Sequence, residues 1–330
     1  MRLSLFTTLT FALLLPLAAS AQSLGDLGGT DSFTVSVTPQ YPTPYSSATL
    51  SFLSISLDLA NATLSLSVGG KNIYKGAVRP VAVPLGKAGS VTNVAATISS
   101  GGANYSQSLS LQPQDVALVV EPISSAPPLY PGKPLVPLEG DVRVVAVANL
   151  KSSGGKSLDP SVLSYTWTVD NTRIANSSGI GKMAIIVASP LQYRARDVSV
   201  AVTSQDGSLV GGALLSLSPI EPSVRIYEND PLLGILYDHV LSDSYSITGT
   251  ESTLFAAPFS LPTTIGAPFV QWFLNGSVAQ TGNSITLRPT GSGQGNASLS
   301  LTASAGNNTT ATANLSLIFG ATSNSNFFGL

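Results

Sequence analysis

Few side chains in this sequence are of the types that perform catalysis. His239 is the single histidine, and Asp238 and Asp243 are the carboxylates close to it in the chain. A serine hydrolase needs such a pair beside a serine nucleophile, which commonly sits in a Gly-x-Ser-x-Gly turn. The sequence contains no such turn. We therefore predict that the chain is not an enzyme, and that Asp238 and His239 lie in a loop or at a strand end.

Acidic residues near position 230 are the second candidate for chemistry. Glu228 and Asp230 stand in Glu-Asn-Asp-Pro, and Asp206 precedes them. Carboxylate oxygens at a domain border could bind calcium and stiffen that border. The Asp-x-Asp-x-Asp loop of an EF-hand is absent, however, and Asp-Pro commonly begins a turn. We favour a structural turn, keep Glu228 and Asp230 as the calcium candidates, and predict no other metal and no cofactor.

Large aromatic residues are the third candidate, because aromatic rings can stack on sugars or fill a partner's groove. Trp167 and Trp272 each lie in the middle of an alternating apolar run, which favours packing in a core over a carbohydrate-binding surface. Phe327, Phe328 and Leu330 instead follow a polar stretch. These three could dock on a partner or on another copy of the chain, or fold back onto their own domain.

The composition excludes some partners and suggests an external location. Charged residues make up 10% of the chain and the formal net charge is −2, so no basic patch is present for nucleic acid. The chain has no cysteine, which rules out disulfides and thiolate metal sites. Solubility must come from Ser, Thr and Asn. We expect the Asn-x-Ser/Thr triplets to arise by chance from that composition, and to carry glycans only in a eukaryotic host.

The first residues have the features of an export signal. Arg2 precedes a short apolar run over residues 3–18, and Ala19-Ser20-Ala21 is a small-residue cleavage site. We predict a signal peptide at 1–21 and a flexible leader at 22–31. The apolar run is short for a spanning helix, so no integral membrane span is expected after cleavage. The mature protein would be exported to the cell surface, the envelope or periplasm, or the medium.

A three-part pattern repeats along the mature chain. Each copy has an alternating strand that leads into a tight turn, a later alternating strand, and a final Leu-Ser-Leu strand. Positions 66, 167 and 272 are equivalent, which places the copies 101 and 105 residues apart. That period suits an independent domain rather than a solenoid repeat. Leu66, Trp167 and Trp272 would then occupy matching places in three cores.

The elements that carry these residues are predicted to be strands. Apolar and polar residues alternate with a period of two in runs such as 53–59 and 296–303, and no sustained helical period follows the signal. Gly69-Gly70, Asp170-Asn171 and Asn275-Gly276 tolerate positive φ, so each predicts a tight hairpin. Proline-bearing segments at 112–115 and 219–222 mark the borders between copies.

The unit resembles bacterial immunoglobulin-like and PKD-like domains. Those families often carry Tyr-x-Trp-x-x-x-Asn-Gly in a middle strand, which Tyr165-Thr166-Trp167 with Asp170-Asn171, and Trp272 with Asn275-Gly276, approximate. The first copy departs from the pattern, with Leu66 in place of tryptophan. The resemblance implies antiparallel β-sandwiches of the PKD or fibronectin-III kind. Because many unrelated functions use this sandwich, it implies no particular activity.

These observations predict an all-β chain of three tandem Ig-like sandwiches. The expected domains are 32–114, 115–222 and 223–319, followed by a flexible tail at 320–330. Short proline-bearing links would limit bending, so we expect an elongated, semi-rigid rod. The favoured function is a non-enzymatic structural, adhesive or protein-interaction role, with an unidentified protein or surface glycan as partner. The alternatives are a subunit that assembles or self-assembles through its apolar tail, and a carbohydrate-binding accessory module.

Overall fold

The computed structural model describes residues 33–290, 294–306 and 309–320. Regular structure in these ranges is β, apart from two single-turn 3₁₀ segments at Pro160–Val162 and Ala175–Ser177. The predicted fold class is confirmed: the strands form antiparallel β-sandwiches in tandem. The predicted signal peptide and leader lie outside the described residues, as do Phe327, Phe328 and Leu330.

The chain divides into two compact units, which are described separately. The first holds the described residues up to Ser36, together with Leu50–Val81 and Thr92–Leu111. The second holds Val37–Thr49, Ala82–Val91 and the described residues from Gln112 onward. The second unit therefore contains the second and third sandwiches and two segments from the first.

The first sandwich has seven strands, which pair in the orders β1-β2-β5 and β4-β3-β6-β7. In chain order they are β1 (Thr34–Thr38), β2 (Ser47–Leu53), β3 (Thr63–Val68), β4 (Lys71–Ala77), β5 (Val81–Pro84), β6 (Thr92–Ser100) and β7 (Ala103–Leu111). Alternate residues of β3 and β6 are buried, and Leu66 is fully enclosed.

The second sandwich has eight strands. They are β8 (Asp115–Pro122), β9 (Asp141–Asn149), β10 (Ser164–Val169), β11 (Thr172–Arg173), β12 (Gly179–Ile180), β13 (Ala184–Ala188), β14 (Arg196–Thr203) and β15 (Val210–Leu217). One sheet has the order β13-β9-β8, and the other has β11-β10-β14-β15 with β12 added to β10. Trp167 and Tyr165 lie in the core between them.

The third sandwich has nine strands. They are β16 (Ser223–Asp230), β17 (Gly234–Leu241), β18 (Ser244–Ile247), β19 (Ser252–Phe259), β20 (Phe269–Leu274), β21 (Ser277–Thr281), β22 (Ser284–Leu287), β23 (Gly295–Ala305) and β24 (Thr309–Phe319). The sheet orders are β17-β16-β19-β22 and β18-β24-β23-β20-β21, and β18 runs parallel to β24. Trp272 lies in the core.

One strand order underlies all three sandwiches. We call the sheet that contains a sandwich's first strand its opening sheet: β1-β2-β5, β13-β9-β8, and β17-β16-β19-β22. The facing sheet carries the predicted hairpin and is called the hairpin sheet. In each hairpin sheet the first hairpin strand also pairs with the later alternating strand that the repeat predicted. The third sandwich adds β17 to one edge and β18 to another.

The three predicted hairpins are confirmed. Both central residues have positive φ in every case: 57° and 82° at Gly69-Gly70, 48° and 64° at Asp170-Asn171, and 50° and 80° at Asn275-Gly276. Such turns match the right-handed twist of the strands that they join. The Asp170 and Asn275 side chains also accept a backbone N–H from the adjacent strand, at 3.0 and 2.8 Å.

The prediction for Asp238 and His239 was wrong. Both residues lie inside β17 rather than in a loop or at a strand end, and both are exposed. β17 pairs with β16 through 234–235 and 240–241, and Asp238 and His239 lie in the irregular stretch between these paired segments, where a bulged edge strand leaves polar side chains in solvent.

Candidate functional site: the junction of the second and third sandwiches

The links between sandwiches are short. β7 ends at Leu111 before β8 begins at Asp115, and β15 ends at Leu217 before β16 begins at Ser223. A further connection forms at the second link. The β8–β9 loop, residues 123–140, leaves the second sandwich and packs on the third; we call it the strap.

Backbone hydrogen bonds join the strap to the end of β19. The Ser125 amide donates to the Leu261 carbonyl at 2.7 Å, and the Ser260 amide donates to the Ser125 carbonyl at 3.1 Å. The Leu261 amide donates to the Ser125 hydroxyl at 3.1 Å. A fourth bond runs from the Thr263 amide to the Ile123 carbonyl at 3.1 Å. The strap and the third sandwich thus share a ladder-like contact in which buried amides find partners.

Ser260 connects three segments at once. It is fully buried, with φ of 59°. Its hydroxyl lies 3.0 Å from the Ile220 carbonyl in the link and 3.3 Å from the Val136 carbonyl in the strap. The Ile220 amide in turn donates to the Val136 carbonyl at 2.9 Å. Left-handed backbone at a residue with a side chain is costly and persists where surrounding contacts hold it, as they do here.

An aromatic cluster completes the junction. The Tyr130 ring of the strap meets Phe259 and Tyr237 edge to face, with centroids 5.1 and 5.9 Å apart, and Tyr237 meets Tyr227 at 5.2 Å. The Tyr237 hydroxyl donates to the Pro128 carbonyl at 2.7 Å. Burial raises the pKa of Tyr237, and the nearby Tyr227 adds to this. Each edge-to-face pair contributes about 0.5–1.5 kcal/mol beyond its buried area.

The cluster lies on the outer face of the third opening sheet, which is the face turned away from the sandwich core. Its inner face packs Ile226 and Leu254 into the core, while Tyr227, Phe255 and Phe259 belong to the cluster on the outer face. Both faces of β19 are consequently buried from Leu254 to Phe259. This explains why β19 is a continuous apolar run in the sequence rather than an alternating one.

A shorter loop makes a related contact within the second unit. The β1–β2 loop, residues 39–46, places the Tyr41 ring against Gly212 of β15, where a Cβ atom would come within 2.4 Å of the ring. Burial raises the pKa of Tyr41. Nearby, the Gln114 amide donates to the Lys151 carbonyl at 3.0 Å and accepts the Lys151 amide at 2.7 Å.

The three predicted core residues are enclosed. Leu66, Trp167 and Trp272 have no exposed surface. The Trp167 indole donates to the Lys182 carbonyl at 2.8 Å, and that of Trp272 donates to the Gly282 carbonyl at 2.9 Å. Neither indole is accessible to a sugar ring, because both rings are buried and their N–H groups are already bonded.

Asp230, one of the two candidate calcium ligands, is engaged in a turn. One carboxylate oxygen of Asp230 accepts the Leu232 and Leu233 amides at 2.7 and 2.8 Å, which lowers the pKa of Asp230. Glu228 lies on the same strand, β16. Within the described ranges, no cluster of three or more His, Cys, Asp or Glu residues is arranged to hold a metal ion.

Asp206 likewise serves a turn. Its carboxylate accepts the Ser204 and Ser208 hydroxyls, which hold the pKa of Asp206 at about 2. The turn borders a groove of about 510 Å³ that Leu158, Leu163 and Val91 also line.

The sequence interpretation missed the strap. Its signals were the proline- and tyrosine-rich segment at 127–131, which parallels the one at 39–45, and the unbroken apolar run of β19. The first suggests an ordered loop with a ring to bury, and the second suggests a strand covered on both faces.

Comparisons with known proteins add no family. No protein-family model matches the chain, and no curated protein matches it. Among solved structures, the chain is similar to three N-terminal domains of the bacteriophage RB49 Hoc capsid protein: 13% identity, TM-score 0.25, covering 86% of this chain and 98% of that one. It is similar to the central fibronectin-III array of RIM-binding protein, at 6% identity and a TM-score of 0.28, with 86% of this chain and 95% of that one covered. It is also similar to Sidekick-1 immunoglobulin domains 1–5, at 9% identity and a TM-score of 0.29, with 88% of this chain and 60% of that one covered.

Within the ranges that the structure describes, no helix is long and apolar enough to span a membrane.

Proposed function

We propose that this chain is an exported, non-enzymatic structural or protein-interaction protein of the cell surface or envelope, which holds neighbouring sandwiches in a fixed arrangement. The observation that carries the proposal is the strap. It devotes 18 residues, from 123 to 140, to a second connection between sandwiches that a five-residue link, 218–222, already joins covalently.

A second connection is useful where relative orientation matters. Neighbouring sandwiches joined by one linker alone are expected to move relative to each other. The hydrogen bonds of Ser125 and Ser260, together with the Tyr130 contacts, oppose that motion. A protein that presents loops or sheet faces to a partner loses less entropy on binding when those surfaces are already fixed.

The proposed borders follow the predicted domains, 32–114, 115–222 and 223–319. They place the strap inside the second domain and its docking face inside the third. The partner is proposed to be a protein or a surface glycan. The carbohydrate-binding alternative receives no support from Trp167 and Trp272, because both are buried.

Export and rigidity need separate tests. For export, the full chain is expressed in a bacterial host, and the N-terminus of the exported protein is sequenced; we expect it to begin at Gln22. A chain retained in the cytoplasm with Met1 intact would contradict export. For rigidity, limited proteolysis should spare 115–319 as one fragment. Cleavage between 218 and 223 at the rate of a denatured control would contradict a fixed junction.

A further inference from the structure

The last strands of the three sandwiches, β7, β15 and β24, have different neighbours. In the third sandwich, β18 pairs in parallel with residues 316–319 of β24 and covers that part of its edge. In the second, β15 lies so close to β8 that a Cβ atom at Gly211 would come within 2.9 Å of the Val116 side chain. In the first, no strand of the described ranges pairs with the far side of β7, which is therefore an edge strand.

β7 has none of the features with which natural edge strands avoid pairing. Such strands are usually short or bulged, or they carry charged residues or proline. β4, at the other edge of the same sheet, carries Lys71 and Lys75, and a register shift interrupts its pairing with β3. β7 instead keeps one register with β6 over nine residues, Ala103–Leu111, and residues 88–112 contain no charged residue and no proline. The edge is therefore open to pairing with another strand.

The side chains of β7 alternate between the two faces of the sheet. Those that bond to β6 across the outer face through hydroxyl and amide groups are Asn104, Ser106 and Ser110. Those that lie opposite buried residues of β6, on the face turned toward the core, are Tyr105, Gln107 and Leu109. The second group is only partly buried. A strand added beside β7 would bury these inner-face side chains further.

Gln107 gives this edge strand a polar group without a partner. Its Oε1 atom is buried and accepts no hydrogen bond from any residue that the structure describes. Leaving a buried amide oxygen without a donor is costly, and few native side chains do so. Gln107 is also the central residue of β7, which runs from Ala103 to Leu111. An unpartnered amide in the middle of an open edge indicates that its donor comes from another strand.

We propose that β7 pairs in antiparallel orientation with β7 of a second copy of this chain, about a two-fold axis at Gln107. The axis places the two Gln107 amides opposite each other, and each carries both a donor and an acceptor. The terminal torsion of glutamine is broad, so each oxygen can turn toward the open edge and accept an N–H of the other amide. Tyr105 then lies opposite Leu109 of the second copy, an aromatic–aliphatic pair of the kind that stabilises neighbouring strands.

A second copy fits this edge better than an unrelated strand does. Pairing β7 about its own centre matches all nine residues and leaves none of them without a partner. β3, β6 and β7 contain no charged side chain, so two identical sheets can meet here without repulsion. Because the two edges cover each other, the contact closes at a dimer. This rests on the proposed interaction function and names the partner for one of its surfaces.

Disulfide cross-linking can test the register, because the chain has no cysteine. The chain is prepared without residues 1–21 and carries either Gln107→Cys or, as the matched control, Tyr105→Cys. On the proposed axis the two Gln107 positions are directly opposite, with Cβ atoms about 4.5–5.5 Å apart, so a small adjustment allows a disulfide. The two Tyr105 positions are four residues apart along the strands, about 13 Å, which a disulfide cannot span.

We expect Gln107→Cys to form a covalent dimer on mild oxidation and Tyr105→Cys to stay monomeric on a denaturing gel. A mixture of Tyr105→Cys and Leu109→Cys should form a mixed dimer, because these positions are opposite each other in the proposed register. Equal cross-linking of Gln107→Cys and Tyr105→Cys would indicate random collision and overturn the register. A Gln107→Cys chain that stays monomeric would contradict the axis.

Sedimentation velocity tests association without a cross-link. We expect the unmodified chain to dimerise as its concentration rises. Ser106→Lys with Ser108→Lys places like charges opposite each other across the axis, so the dimer should weaken by about tenfold or more. The glutamate pair at the same positions should act alike, and a mixture of the lysine and glutamate forms should dimerise again. Leu214→Lys with Ser216→Lys, at exposed positions of β15, is the matched control and should leave association unchanged.

Other outcomes would overturn the proposal. An unmodified chain that stays monomeric at all concentrations, or a dimer that survives both charge pairs, would exclude β7 as the contact. Melting temperatures show whether the charged forms are folded; if either is not, the cross-linking result decides. None of these results would affect the proposed rigid junction, because proteolysis tests that on the monomer.

Discussion

The second and third opening sheets have the same strand order and similar cores, yet their outer faces differ. In the third, Tyr130 of the strap packs on Phe259 and on Tyr237, Tyr237 packs on Tyr227, and β19 is buried on both sides. In the second, Val147 and Ile186 remain more than half exposed. The inner face and the turns are therefore alike in the two sandwiches, while the outer faces differ.

The largest effect is expected from removing the core tryptophans, which tests whether the cores of the second and third sandwiches are equivalent. Trp167→Ala and Trp272→Ala should each destabilise their own sandwich by about 3–5 kcal/mol, because each creates a cavity in a packed core and leaves a carbonyl without its donor. Thermal unfolding followed by circular dichroism measures this. Tyr193→Ala, at a position 90% exposed, is the control and should change little. If only one tryptophan mattered, the inner faces would not be alike.

The next largest effect is expected from removing the Tyr130 ring, which packs on the outer face of the third opening sheet. Tyr130→Ala should cost the third sandwich about 2 kcal/mol, since two edge-to-face pairs and part of their buried area are lost. Leu129→Ala is a matched control in the same loop, because Leu129 is 96% exposed. Chemical denaturation and binding of a hydrophobic dye report the change. Equal effects of the two substitutions would show that the face does not depend on the Tyr130 ring.

A smaller effect is expected at the strap's hydrogen bonds. Ser125→Ala removes the hydroxyl that accepts the buried Leu261 amide, so about 1–2 kcal/mol should be lost. Hydrogen exchange at Leu261 should accelerate in parallel. Ser153→Ala, at an exposed position of the second sandwich, serves as the control. Unchanged exchange at Leu261 would mean that the Ser125 hydroxyl does not protect it.

A polar substitution on the uncovered face should have almost no effect on stability. Ile186→Thr replaces a half-exposed side chain, and such surface changes usually stay within about 0.5 kcal/mol. Denaturant unfolding of the monomer is the measurement. A loss as large as that of Tyr130→Ala would show that the second outer face contributes to the fold as the third does.

The dependence of stability on acidic pH tests the turn aspartates of the second and third sandwiches, Asp206 and Asp230. Hydrogen bonds hold the pKa of Asp206 at about 2 and lower that of Asp230, so both lie below the ordinary aspartate value. Each carboxylate therefore stabilises the fold at a pH above the pKa of aspartate in the unfolded chain. That stabilisation is lost as the pH falls toward the lower pKa of the folded state. Melting temperature should fall slightly between pH 4 and pH 2. Asp206→Asn should flatten this slope; an unchanged slope would assign it to other groups.

The elements that alternate were predictable, and those that depend on distant surfaces were not. The period of two and the paired turn residues at 69–70, 170–171 and 275–276 encode strands and hairpins locally, because they set side-chain direction and backbone φ. The strap has no period, and its position depends on rings more than a hundred residues away, such as Tyr237. Asp238 and His239 were misplaced for a related reason: they lie in a bulged stretch of β17 whose flanking residues pair with β16, and such a bulge has no local period.

We propose that the strap holds the second and third sandwiches in one orientation. Because the chain has no cysteine, Arg173→Cys and Ser277→Cys can place spin labels on exposed positions of the equivalent hairpins β11 and β21. Electron–electron double resonance should give one narrow distance distribution, which broadens when Tyr130→Ala and Ser125→Ala are combined. A broad distribution in the labelled parent, or a narrow one that the combined substitutions leave unchanged, would contradict the account.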